Sequence, residues 1–179
     1  MRAAEGNRVR PGLPAAIRRG IEAHVAGLDA QADDIDAEVA AIVRRTPAWR
    51  ERDRRLRSIP GVGPVVSRAL SADLPELGTR PPAKLVALAG LAPFAAASGR
   101  RRGERHIRGG RREVRRALYM GALAVARVPG PLRDFAQRLK GKGKPSKVAL
   151  IAVARKLLVI ANAVIRDGRA WDGKMATTA

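Results

Sequence analysis

Between Gly90 and Met120 the chain places one serine next to a crowd of guanidinium groups. Ser98 sits in an Ala/Gly-rich segment and is followed within twenty residues by nine arginines and only two acids, Glu104 and Glu113. Arginine suits phosphate because its planar fork donates two parallel hydrogen bonds and keeps its charge. A serine hydroxyl held beside several such forks could attack a phosphodiester, the guanidinium groups stabilising the charge that develops on phosphorus. The plainer reading is a solvated basic loop that only touches nucleic acid, and the residue types alone leave both open. Arg100, Arg101, Arg102, Arg105 and Arg108 fall in the segment after the serine. Arg111, Arg112, Arg115 and Arg116 crowd the start of the helix that follows. Cations at a helix N-terminus oppose its dipole, so four of them there suggest a use, most simply phosphate binding.

Two further stretches carry phosphate-binding chemistry. Ser58-Ile-Pro-Gly-Val-Gly-Pro-Val, flanked by helical pattern on both sides, reads as a helix-hairpin-helix. Gly61 and Gly63 permit the tight turn and bring backbone N–H groups toward a phosphate at the start of the second helix, with Arg68 nearby. A purely structural inter-helix turn would carry the same glycines. Lys140-Gly-Lys-Gly-Lys-Pro-Ser-Lys147 is a basic turn in which Lys142, Lys144 and Lys147 can contact a nucleic-acid backbone. It lacks the spacing of a P-loop.

The composition agrees with such a partner. The 179 residues carry a net charge of +20, and a charge of that size strains a compact chain unless a polyanion offsets it. Apolar residues make up 46% but aromatic ones only 3%, so aliphatic side chains must fill the core, and the abundance of alanine and arginine favours helix. With no cysteine there are no disulfides or thiolate metal sites, and two distant histidines make a poor metal cage. No metal or cofactor is expected on this chain. The N-terminus has no apolar signal core, and the apolar runs near the C-terminus are split by Arg155-Lys156, so no membrane span and a cytoplasmic location are expected.

The elements that must position these residues read as mainly helical. Residues 1–13 form a basic, disordered tail. Over 14–46, Ile21, Leu28, Ile35 and Ile42 repeat every seven residues, with Val25, Ala32 and Val39 four after the first three. That is a coiled-coil seam, and it predicts a dimerisation helix. From Gly20 to Val43 there are six acids and no lysine or arginine, which leaves about +26 on the remainder. A helix of opposite charge to its own protein should avoid nucleic acid and pair with protein, in a homodimer. Residues 47–167 form a compact helical domain: a short helix anchored by Trp49 and Leu56, the helix-hairpin-helix, a short helix with Leu85 and Leu88 inward, and then an irregular loop or small hairpin bearing Ser98. A helix follows with the stripe Val114, Leu118, Ala122 and Val125. The next has Leu132, Phe135, Ala136 and Leu139 on its buried face, and a last, almost wholly apolar helix runs through the core. Residues 168–179 read as a disordered tail.

Six motifs occur in order: Ser-Ile-Pro-Gly-Val-Gly-Pro-Val, Ala-Leu-Ala-Gly-Leu-Ala-Pro-Phe, Ser-Gly-Arg-Arg-Arg-Gly, Ile-Arg-Gly-Gly-Arg, Arg-Arg-Ala-Leu-Tyr-Met-Gly-Ala-Leu and Lys-Val-Ala-Leu-Ile-Ala-Val-Ala-Arg-Lys-Leu-Leu. Together, over roughly residues 10–170, they resemble the C-terminal half of the "IS-one-ten" insertion-sequence transposases, the bridge-RNA-guided DNA recombinases. The resemblance implies a coiled coil followed by a helical transposase domain whose serine nucleophile maps onto Ser98. It also implies a preceding RuvC-like domain with an Asp-Glu-Asp-Asp site for a divalent metal such as Mg, which has no counterpart here. The expectation is a truncated serine transposase that binds DNA, with a guide RNA as a further candidate partner, but does not cut DNA unaided. The alternative is a non-catalytic nucleic-acid-binding module using the same loops. Tyr119 with His106 offers a third, tyrosine-based route, although Tyr119 has the spacing of a packing residue.

Overall fold

A computed structural model describes residues 7–98 and 101–173, without the side chains of 94–106. The chain is mainly α and divides into two units, Met1–Arg50 and Glu51–Ala179. The first is built on one helix, α1 (Ala15–Arg45), whose last turn carries Arg44 and Arg45, charges that suit the negative end of the dipole. The helix stops at Thr46, which turns extended (φ −97°, ψ 109°), because Pro47 disfavours helical geometry in the residue before it. No residue of α1 is buried, and the seam leaves Ile35 60% and Ile42 45% exposed.

The next helix, α2 (Pro47–Arg57), is held by Leu56, which is fully buried. Trp49 does not anchor it: the residue is 54% exposed, because it falls in the first unit, whose long helix offers no buried core. A tight turn leads to α3 (Pro64–Ala72), where proline at the first position loses no hydrogen bond. Then come α4 (Pro82–Leu88), an antiparallel hairpin of β1 (Pro93–Ser98) and β2 (Arg101–Ile107), α5 (Arg112–Val125), α6 (Pro131–Gly141) and α7 (Ser146–Asp167). Of the two readings open for the serine segment, the small hairpin is the one adopted.

The core is organised on α7, against which α4, α5 and α6 pack, while α3 packs on α5. Val153, Leu157, Leu158, Ile160, Ala161 and Val164 of α7 are all buried with 0% exposure. By length and a mean hydropathy of 2.2 over eighteen residues, α7 is apolar enough to cross a membrane. The Arg155-Lys156 interruption therefore does not shorten it, as the sequence suggested. More than half of that stretch is buried inside the protein, as befits the central helix of a packed core. Arg155 points to solvent, and Lys156 lays its ammonium 4.9 Å from the Phe135 ring centroid. The burial expected on α6 holds for Leu132 and Ala136, whereas Phe135 and Leu139 are half-exposed and Val148 of α7 is 52% exposed.

Two buried polar side chains tie elements together. Asn162 of α7 accepts from the Gly78 N–H (2.7 Å) and donates to the Arg80 carbonyl (3.2 Å), holding the segment between α3 and α4. Ser67 of α3 donates to Asp53 of α2 at 2.6 Å.

Candidate nucleic-acid interface

Ser98 is the last residue of β1 and pairs across the ladder with Arg101, the first residue of β2. Ala97 faces Arg102 and Ala95 faces Arg105, with a register shift between Ala95 and Ala97 that puts an extra residue into β2. Arg101, Arg102 and Arg105 therefore share one short strand, placed by register opposite the end of the strand that carries the serine. Arg100 lies outside the described residues. Arg108 follows β2 and is solvent-exposed.

The root of the hairpin is built by glycines. Gly90, just after α4, has φ +65°, and Gly109 and Gly110, just after β2, have φ +67° and +69°. A Cβ on Gly90 would run into the Gly109 carbonyl, and one on Gly110 into the Gly90 backbone. The two ends of the hairpin segment thus touch main chain to main chain, which side chains would forbid. The Arg111 N–H donates to the Leu88 carbonyl at 2.7 Å and stitches the start of α5 to the end of α4.

Here the four α5 arginines separate by role. The Arg111 guanidinium makes a bidentate pair with Glu76, at 2.5 and 2.6 Å, in the turn after α3. Arg115 donates to the Gly109 carbonyl. Both are used inside the protein. Arg112 and Arg116, one turn apart, are exposed. The Arg111 fork holds the Glu76 carboxyl down at about 2, against an ordinary 4.5, with further help from the Glu76 N–H and from Arg80.

The turn between α2 and α3 backs onto the second half of α5. Gly61 has φ +86°, and a Cβ there would sit 2.7 Å from the Gly121 carbonyl and 2.9 Å from the Val125 Cβ. Its glycine is required by this close approach. Gly63 precedes α3 in extended geometry, and its Cα faces open space. Arg68 is half-buried one turn further on. Gly121 is nine residues along α5 from Arg112, about 14 Å at the helical rise, so the turn and the arginines lie along one helix without meeting.

Lys142 and Lys144 are exposed in the turn that joins α6 to α7, and Lys147 is exposed on the first turn of α7. Gly143 (φ +75°) makes that turn possible, and the Lys144 N–H donates to the Leu139 carbonyl. The half-buried Tyr119 lies on α5 beside the core stripe. Among the described residues no three His, Cys, Asp or Glu side chains come together to hold a metal ion.

A hairpin ending in serine, fed by arginines and rooted on glycine contacts, spans the centre of the region that matches a known family model. Residues 53–137 match the Transposase IS116/IS110/IS902 family. The chain belongs to this family.

Its relatives include an uncharacterized 44.8 kDa protein of insertion element IS116 from Streptomyces clavuligerus, 35% identical over 144 residues. That match covers 79% of this chain and 35% of the relative. The pilin gene-inverting protein of Moraxella bovis is 34% identical over 146 residues, covering 79% of this chain and 45% of that protein. An uncharacterized 43.6 kDa protein of insertion element IS110 from Streptomyces coelicolor is 31% identical over 144 residues, again 79% of this chain and 34% of the relative. The chain thus spans less than half the length of these curated relatives.

Glu76 was not foreseen from sequence. It lies thirty-five positions from its partner and carries no motif of its own. Gly90 and the Gly109-Gly110 pair are each visible within a family motif, but nothing in the sequence says that they meet.

Proposed function

We propose that this transposase-family chain supplies the serine nucleophile and much of the DNA-binding surface for strand exchange. The Ser98 hydroxyl attacks a DNA phosphorus. A serine–phosphate bond forms, the phosphorus–oxygen bond to the departing strand breaks, and that strand leaves as a hydroxyl after taking up a proton. Attack on the phosphoserine by the hydroxyl of another strand reverses the chemistry and rejoins DNA without an external energy source. Arg101, Arg102, Arg105 and Arg108, with Arg100, are placed along the chain to neutralise the phosphate oxygens as charge builds on them. The observation that carries this reading is the position of Ser98 at the end of β1, in register with Arg101, in a chain of a transposase family.

Around that centre, the exposed Arg112 and Arg116, the Gly63 end of the α2–α3 turn acting as a helix-hairpin-helix, and Lys142, Lys144 and Lys147 hold flanking phosphates. The exposed seam of α1 pairs with the α1 of a second copy, which would bury Ile21, Leu28, Ile35 and Ile42. A divalent metal would be held by a separate metal-bearing domain, as the resemblance implies, and no step above runs through it. A guide RNA is a second polyanion that the same cations could hold, and the cytoplasm is the compartment in which these partners meet.

The test uses DNA with a bridging phosphorothiolate, tried with sulfur at the 3′ and at the 5′ position, because a thiolate leaves without needing a proton. With the metal-bearing domain of a relative supplied, mass spectrometry should find the DNA joined to Ser98. Ser98→Ala should remove the adduct and leave binding unchanged. Binding without any adduct would favour the second reading, a non-catalytic nucleic-acid-binding module, and an adduct on Tyr119 would replace the nucleophile.

A further inference from the structure

The hairpin that carries Ser98 runs into the helical core at its two ends, through Ala92 and Arg108. A two-stranded hairpin is at best marginally stable alone, so the direction in which it projects must be set at its root. Three contacts meet there. Gly90 and Gly110 stack main chain on main chain. Arg115 of α5 donates to the Gly109 carbonyl at the outgoing end. Arg111, at the N-cap of α5 directly after Gly110, is locked by both arms of its fork to Glu76, in the segment between α3 and α4. That segment is itself fixed to α7 by Asn162, which holds Gly78 and Arg80 on either side of Thr79. A continuous line of bonds therefore runs from the core helix through Asn162, the Gly78 segment, Glu76 and Arg111 to the base of β2.

We infer that Glu76 and Arg111 are positioning residues for Ser98: their bidentate pair fixes the root of the hairpin and so the place at which the serine meets a DNA phosphate. The inference rests on the serine reading above. The pair is suited to this role because two parallel hydrogen bonds between rigid planar groups define an angle as well as a distance, which a single contact cannot do. It also takes Arg111 out of the phosphate-binding set, although it stands amid residues that bind through exposure. The small misplacements that a loosened root permits are enough to depress a reaction whose rate depends on alignment.

Glu76→Gln keeps the shape and removes the charge, and Arg111→Gln removes the fork from the other side. Hydrogen exchange on the full chain should show the β1–β2 amides exchanging roughly tenfold faster in either variant, with α7 as protected as before. The charge-exchanged double variant, Glu76→Arg with Arg111→Glu, should return part of that protection. With the phosphorothiolate DNA, adduct formation at saturating DNA should fall about tenfold or more in the single variants while Kd stays within twofold. Hairpin exchange equal to wild type, or rising only in step with α7, overturns the inference, as does an unchanged adduct rate. A wild-type chain that forms no adduct overturns the serine reading and the catalytic half of this inference. Faster hairpin exchange would in that case still establish the anchor.

Discussion

At the residue scale, arginines of one type and one neighbourhood do different work. Arg111 and Arg115 are a helical turn apart and face protein acceptors, Glu76 and the Gly109 carbonyl. Arg112 and Arg116 are the neighbouring pair one step round the helix, and they face water. Replacing Arg112 and Arg116 together with alanine should leave Tm within a few degrees and weaken DNA binding uniformly across sequences. A plot of log affinity against log salt should become shallower by about 2, since each neutralised phosphate contributes about 0.9. An unchanged slope would mean that these two touch no phosphate. Titration reports on the contact that Arg111 makes. Glu76 is held at about 2 when folded, chiefly by the Arg111 fork, against 4.5 when free. Its contribution is fully present above about pH 4.5, and it is lost as pH falls through about 2, because the unfolded chain binds the proton first. In Glu76→Gln that part of the acid dependence should vanish from pH-unfolding curves, while wild type and variant keep parallel curves above pH 5.

At the element scale, the two glycines of the α2–α3 turn stand in different surroundings. Gly61 is consumed by its approach to Gly121, whereas Gly63 opens on empty space. Gly121→Ala should press a methyl against the Gly61 carbonyl and cost about 1–3 kcal/mol, the usual range for overpacking, seen as a drop in Tm of several degrees. Gly63→Ala should leave Tm unchanged and reduce DNA affinity if backbone N–H groups there approach a phosphate. Equal Tm losses in the two variants would contradict this division. Much at this scale was legible. The stripe Val114, Leu118, Ala122 and Val125 is buried as its spacing requires, and α7 is the core helix that its composition announced. Trp49 was misjudged because an aromatic in a charged helix reads as an anchor wherever it stands, and sequence spacing does not say whether a core lies opposite. Phe135 was misjudged in part for a related reason: Lys156 and Arg138 cover its ring with cations, so it does not need full burial.

At the scale of the whole molecule, charge and hydrophobicity are distributed unevenly. The acidic stretch lies on α1, which has no buried residue, and the excess of positive charge lies on the rest of the chain. An apolar seam left in water, with Ile35 and Ile42 roughly half exposed, would be stabilised by the proposed pairing. Introducing aspartate at both Leu28 and Ile35 should convert a dimer to a monomer in analytical ultracentrifugation and leave the Tm of the second unit unchanged. Wild type sedimenting as a monomer at micromolar concentration would remove the coiled-coil reading. DNA affinity should fall only by the loss of double attachment, because the residues proposed to bind phosphate lie outside α1.

Sequence by itself determined what depends on local periodicity and composition. The helices, the proline that ends α1, the cation-rich path and the ordered motifs of a transposase family are each written within a few consecutive residues. Tertiary structure alone decided what depends on residues far apart in the chain: that Glu76 claims Arg111, that Gly90 and Gly110 close the root of the Ser98 hairpin, and that Gly61 meets Gly121. Such pairings are invisible in sequence because a guanidinium or a glycine looks the same whether its partner is a phosphate, a carboxylate or another stretch of backbone. Only the packing of α3, α4 and α5 around α7 settles which partner comes within reach.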